Sequence, residues 1–145
     1  MPYKSTKIFD GFSACFRQWR AAESHCRYLH GYSLEFKVIF QGDLDHRNWV
    51  MDFGCFKRNG IKRYLEHMFD HTLIVAEDDP SLEMFQLLED KELVQLRIMK
   101  DVGCEKFAKH VFDYLTQALK DNPRIWVVSV ECIENKKNSA IYAEA

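Results

Sequence analysis

Two short runs hold most of the residues able to do chemistry: Ser24-His25-Cys26-Arg27-Tyr28-Leu29-His30-Gly31-Tyr32 and Phe69-Asp70-His71-Thr72-Leu73. Cys26 stands between an imidazole and a guanidinium, and positive charge beside a thiol favours the reactive thiolate. The alternative for any lone cysteine is a small buried hydrophobe, and the polar, arginine-rich surroundings weigh against it. His30 and Tyr32 are two apart, so in a strand they share a face. His30 could ligate a metal there, with Cys15 of a neighbouring strand as a soft second donor, but tyrosine is a poor ligand. A satisfied histidine beside an aromatic ring is the competing reading. Asp70-His71 can charge-balance an imidazole for proton transfer. Adjacent side chains seldom bond one another, so the pair is expected to serve a third group, such as one across a subunit boundary. Arg27, with Arg17 and Arg20, offers guanidinium forks to an anionic substrate or simply a solvated loop. Glu134 near a strand end could grip the paired N–H edge of a heterocycle, or face water.

Those residues need a scaffold, and the 145-residue chain is long enough for one domain spanning 1–145. With 47% hydrophobic and 29% charged residues it can build a core and is not a disordered polymer. A formal net charge of −2 argues against nucleic acid as a partner. No apolar run reaches membrane-spanning length, and no signal-peptide core follows the polar start. Cys15, Cys26, Cys55, Cys104 and Cys132 are odd in number and lack a CxxC spacing, which fits free thiols in the cytoplasm.

Residues 3–17 read as a strand with a bend or bulge at Gly11, and 18–29 as a loop. Residues 32–42 alternate, with Leu34, Phe36, Val38 and Phe40 on one face, and pair with the first strand as a hairpin. A helix is expected over 54–68, with Asp52 as its cap and Asn59-Gly60 weakening its middle. Phe56, Tyr64, Leu65 and Met68 form its apolar side. In 76–101, Asp79-Pro80 starts a helix with Leu82, Phe85 and Leu88 inward, and Val94 to Ile98 alternates like a strand. That segment reads as a surface excursion, with a lid or an oligomer contact as alternatives. The strongest helix runs from Gly103 to Lys120 with Phe107, Val111, Leu115 and Ala118 buried and Glu105 in its first turn. A strand at 124–134 places Trp126, Val128, Val130 and Cys132 on one face, and 139–142 adds a last strand. The fold class is therefore α+β, with helices on one face of an antiparallel sheet.

The order Phe12-x-Ala14, Cys26-x-x-x-His30-Gly31, Asp52-Phe53, Asp70-His71 and Glu134 before Ile141-Tyr142 resembles the 6-pyruvoyl-tetrahydropterin synthase / 6-carboxytetrahydropterin synthase family. The resemblance spans nearly the whole chain, with 76–101 as an atypical segment. It implies the tunnelling (T-) fold: a four-stranded antiparallel sheet with two main helices on one face, assembled as a hexamer of two trimers. It implies 7,8-dihydroneopterin triphosphate as substrate. Cys26 would be the general base or acid, with Asp70 and His71 supplied by a neighbouring subunit. Glu134 would anchor the pterin ring and Glu105 would help form the pocket. Of the family reactions, formation of 6-carboxytetrahydropterin, the queuosine-pathway step, is preferred over formation of 6-pyruvoyl-tetrahydropterin. The family holds zinc with three histidines, whose places here are assigned to Cys15, His30 and Tyr32. Zinc would polarise the substrate's side-chain oxygens. The approach to the pocket glutamate is also altered, to Gly103-Cys104-Glu105. Three outcomes stay open: a rebuilt zinc site on Cys15 and His30, a metal-free enzyme of altered reaction, or a pterin-binding oligomer without the parent activity.

Overall fold

A computed structural model describes residues 2–144. The elements in order are β1 (Tyr3–Phe16), β2 (His30–Gly42), α1 (Cys55–Arg58), α2 (Ile61–Phe69), β3 (Thr72–Ala76), α3 (Leu82–Asp90), β4 (Leu96–Met99), α4 (Cys104–Ala118), β5 (Ile125–Ile133) and β6 (Ser139–Ala143). They form one sheet in the order β4-β3-β1-β2-β5-β6. The expected four-stranded antiparallel unit is present as β1-β2-β5-β6. It is not the whole sheet, because β3 pairs parallel to β1 and β4 parallel to β3. The sheet is therefore six-stranded and mixed.

The β1–β2 hairpin forms because both strands alternate. Leu34, Phe36, Val38 and Phe40 are all fully buried, and their ring and branched side chains suit a pleated surface. Phe9 pairs with Phe36 but Phe12 pairs with Leu34, so Asp10 and Gly11 stand opposite Glu35 alone. Gly11 takes the left-handed φ of 81° that this bulge requires. The bulge resets the parity of β1. Phe12, Ala14 and Phe16 face the core beyond it, while Cys15 faces the other way.

The main core lies between this face and the helices α2 and α4. Phe69 of α2 contacts Phe36 at 4.8 Å and Phe107 of α4 at 5.4 Å between ring centroids. Such aromatic pairs each add about 0.5–1.5 kcal/mol beyond area burial. The expected helix over 54–68 is two helices, because Gly60 takes φ 80° and separates α1 from α2. Asp52 accepts from the Gly54 N–H at 2.9 Å and so closes the turn just before α1. In α4, Phe107, Val111 and Leu115 are buried as expected, while Ala118 is exposed. In β5 the face changes part-way. Ile39 pairs with Ser129 but Phe40 with Val127, so Val128 is an extra residue. Ile125 and Val127 are buried where Trp126 and Val128 were expected.

Residues 76–101 are more than a surface excursion. Ile74 belongs to the main core and the Thr72 hydroxyl donates to the Met68 carbonyl of α2, while Leu73 and Val75 face a second cluster with Phe85 of α3 and Leu96 of β4. Strand β3 is thus buried on both sides, and α3 covers the face opposite the other helices.

Candidate active site

The turn that carries Cys26 is built locally. Ser24 ends the loop, and its Oγ accepts from the Cys26 N–H at 3.1 Å, capping the short helical turn His25–Arg27. The Gln18 N–H donates to the Cys26 carbonyl at 2.7 Å, folding the loop back on the end of β1. Cys26 is left exposed. Strand β2 starts immediately after, and Glu134 follows the end of β5, held in a turn by its N–H to the Asn138 carbonyl at 3.1 Å. Cys26, His30, Tyr32, Ser33 and Glu134 line one open hollow of about 360 Å³. Hollows of about 460 Å³ beside Trp49 and about 600 Å³ between β4 and α4 contain none of these groups. The Tyr32 phenol is pushed up to about 12 by burial, then by the negative charge of Glu134, which lines the same hollow. Near neutrality it is a proton donor, not a phenolate.

The residue of β1 that faces His30 is Phe16. The two are cross-strand partners, and Ala14 is the partner of Tyr32. Phe16 stacks on the Tyr32 ring at 4.4 Å, and His30 meets the same ring edge-on at 4.9 Å. Cys15, expected as the second metal donor, pairs instead with Gly31 on the opposite face. There it packs against the second cluster, and burial pushes its thiol up. One sheet therefore separates Cys15 from His30. Phe16 was missed in the sequence, although the bulge at Gly11 carries the signal: it puts Phe16, not Cys15, in step with Phe12.

Asp70 and His71 do bond one another, contrary to the expectation for adjacent residues. His71 adopts a left-handed φ of 58°, which turns its ring back so that Nδ1 lies 3.0 Å from Asp70 Oδ1. The same oxygen accepts the Ser13 N–H at 3.0 Å, and the His71 N–H donates to the Ser13 carbonyl at 2.5 Å. The Ser13 hydrogen bond, and then that of His71, hold the Asp70 carboxyl below its ordinary value against the effect of burial. The His71 side chain is 76% exposed. It opens on a separate hollow of about 290 Å³ with Cys15, Leu29 and Leu73, on the α3 side. Within one chain, Asp70-His71 and Cys26 do not line a common hollow.

The expected anion clamp is not free. Arg17 donates to both oxygens of Asp79, at 2.9 and 2.5 Å, and Arg20 pairs with Asp78. Both partners come from the atypical segment, and neither pairing was foreseen. Arg27 is next to Cys26 but donates to the Ala22 carbonyl at 2.7 Å and to the Tyr28 hydroxyl, away from the hollow. Glu105 is exposed in the first turn of α4 and is not among the lining residues.

The profile of the 6-pyruvoyl tetrahydropterin synthase family matches residues 6–145. The chain belongs to that family. A 6-carboxy-5,6,7,8-tetrahydropterin synthase of Rickettsia typhi is 26% identical over 116 residues, 79% of this chain and 82% of its own. Among solved structures, an uncharacterised protein of Wolinella succinogenes superposes with TM-score 0.84 at 22% identity, covering 99% of this chain and 98% of that one. The 6-pyruvoyl tetrahydropterin synthase of Caenorhabditis elegans superposes with TM-score 0.67 at 19% identity, covering 99% and 96%. These structural likenesses establish the α+β fold of that synthase family.

For this family member the zinc implied by the resemblance does not fit the residues present. Cys15 is on the wrong face. The Tyr32 phenol, pushed up by burial and by the charge of Glu134, offers no phenolate oxygen to a cation near neutrality. Phe16, which does face His30, has no donor atom. No three His, Cys, Asp or Glu side chains among the described residues are grouped to hold a metal ion. No helix among them is long and apolar enough to cross a membrane.

Proposed function

We propose that the chain binds a 6-substituted pterin in the Cys26 hollow and converts 7,8-dihydroneopterin triphosphate and water to 6-carboxytetrahydropterin, keeping the first side-chain carbon as the carboxylate and releasing the other two as acetaldehyde, with triphosphate as the other product. The observation that carries this reading is the convergence of Cys26, His30 and Glu134 on one hollow in a member of a tetrahydropterin synthase family. The similarity to a 6-carboxytetrahydropterin synthase supports the choice of product. In this reading Glu134 accepts the paired N–H edge of the pterin, and the Cys26 thiol moves the proton of the substrate side chain. Asp70-His71, opening on the other hollow, serves the site of a neighbouring chain in a trimer-based assembly. Arg27 and Glu105 would have to change rotamer to reach the substrate.

A second reading is favoured by Phe16 opposite His30 and by Tyr32 at an expected ligand place: an oligomeric pterin-binding protein without turnover. Incubating the purified protein with 7,8-dihydroneopterin triphosphate, with and without added zinc, separates the readings. Acetaldehyde with triphosphate is expected. Triphosphate without acetaldehyde indicates 6-pyruvoyl-tetrahydropterin formation instead. Binding that needs Glu134 but yields no product supports the second reading, and absence of binding overturns both.

A further inference from the structure

We infer that the Cys26 hollow is a metal-free site, in which the stacked rings of Phe16 and Tyr32 fill the place of the zinc and the Tyr32 hydroxyl acts as a hydrogen-bond donor to the ligand. The first half rests on the register of β1 against β2. The second half rests also on the proposed pterin-binding function.

Three side chains share the core-facing patch where the strands meet: Phe16, its cross-strand partner His30, and Tyr32 two residues on. Two of the three present aromatic rings. Those rings are stacked at 4.4 Å with 22° between their planes, and Phe16 is only 3% exposed with Phe107 edge-on against it at 5.0 Å. A cation beside His30 would meet ring carbon where it needs oxygen, nitrogen or sulfur. The Cys15 thiol cannot replace them without crossing the sheet. Among the described residues, no three His, Cys, Asp or Glu side chains gather into a set around His30.

The stack also fixes what Tyr32 can do. Its ring is held by Phe16 on one side and by His30 at its edge, and Tyr32 lines the hollow. Glu134 lines the same hollow, and a carboxylate there is an acceptor for a phenol hydroxyl. A heterocycle whose N–H edge occupies Glu134 takes that acceptor away from the phenol. The same hydroxyl is then free to donate to a ligand oxygen. The ligand class is thus a planar heterocycle with an N–H edge and an oxygen-bearing substituent.

The test is metal analysis of the wild-type protein after equilibration with zinc and desalting, alongside the Phe16→His/Tyr32→His double variant. Wild type is expected to retain no stoichiometric zinc, and the variant to gain one equivalent. Stoichiometric zinc on folded wild type overturns the metal-free site whether or not the variant folds. A folded double variant that stays empty overturns the placement of the stack at the ligand positions. For the donor role, 7,8-dihydroneopterin is titrated into wild type and Tyr32→Phe. An affinity loss of about three- to tenfold is expected for one neutral hydrogen bond, and unchanged affinity overturns the role. If 7,8-dihydroneopterin fails to bind wild type, the proposed function and the donor role fall together. The metal result still decides the rest.

Discussion

The two faces of the β1–β2 ribbon differ in kind. On one, residues of β1 and β2 contribute to the aromatic core, and beside it opens the hollow with Cys26, His30, Tyr32 and Glu134. On the other, Cys15 packs against a small cluster under α3, and beside it opens the hollow with His71. The first hollow has a thiol and a carboxylate without the Asp-His pair. The second has His71, bonded to Asp70, beside the Cys15 thiol, but neither Cys26 nor Glu134. Neither holds all the groups of the proposed mechanism, which is why that proposal draws Cys26 and His71 from two chains.

The largest expected effect tests that division directly. Cys26→Ala and His71→Ala should each lower turnover by about 10²–10⁴, the range for loss of a general acid or base. Refolding the two variants together should restore activity that neither shows alone, because some mixed sites combine an intact Cys26 with an intact His71. Complementation is read as product formed against mixing ratio. Failure to complement, with assembly intact, would place both groups in one chain's site and contradict the separation of the hollows.

A smaller contrast concerns stability on the two faces. Phe36 is fully buried, with Phe12 at 5.9 Å and Phe69 at 4.8 Å. Phe85 belongs to a cluster of four buried residues next to the edge strand β4. Phe36→Ala should cost about 4–5 kcal/mol and Phe85→Ala about 3 kcal/mol, since a site that can relax loses less. Urea unfolding measures both, and equal losses would mean that the α3 face is as tightly packed as the main core.

The same contrast explains what could be read from the sequence. Strand β2 was legible because it is buried on one face, so Leu34 to Phe40 alternate. Helix α4 was legible from its stripe, and the bulge from Gly11. Strand β3 was not, because Leu73, Ile74 and Val75 are all buried and a continuous apolar run carries no period. The change of face in β5 depends on Val128, which has neither Gly nor Pro to announce a bulge. The site residues stood out by type, but which of them meet depends on strand parity. One residue of slip exchanged Phe16 for Cys15 and moved a supposed ligand through the sheet. The Arg17–Asp79 pair joins residues 62 apart, and no local pattern signals it.

That pair gives the smallest predicted effect, and one confined to the α3 side. Asp79 has a side chain 1% exposed. Burial works to raise its pKa, but hydrogen bonds from Arg17 and from the Ser81 N–H, with the Arg17 charge, hold it below the ordinary value. A carboxyl depressed in the folded state is less protonated there than in the unfolded chain, so stability rises with pH across its titration. The contribution is fully present above the unfolded value of about 3.9 and is lost as pH falls through the lower folded value. Asp79→Asn should therefore cost about 2 kcal/mol near neutrality, and the deficit should shrink as both proteins are acidified. Urea midpoints measured from neutrality down to strong acid follow this difference. A deficit that stays constant across the series would mean that packing around Asp79, not its charge on Arg17, ties the arginine loop to α3. In that case acid would leave the two faces of the ribbon equally stable relative to one another.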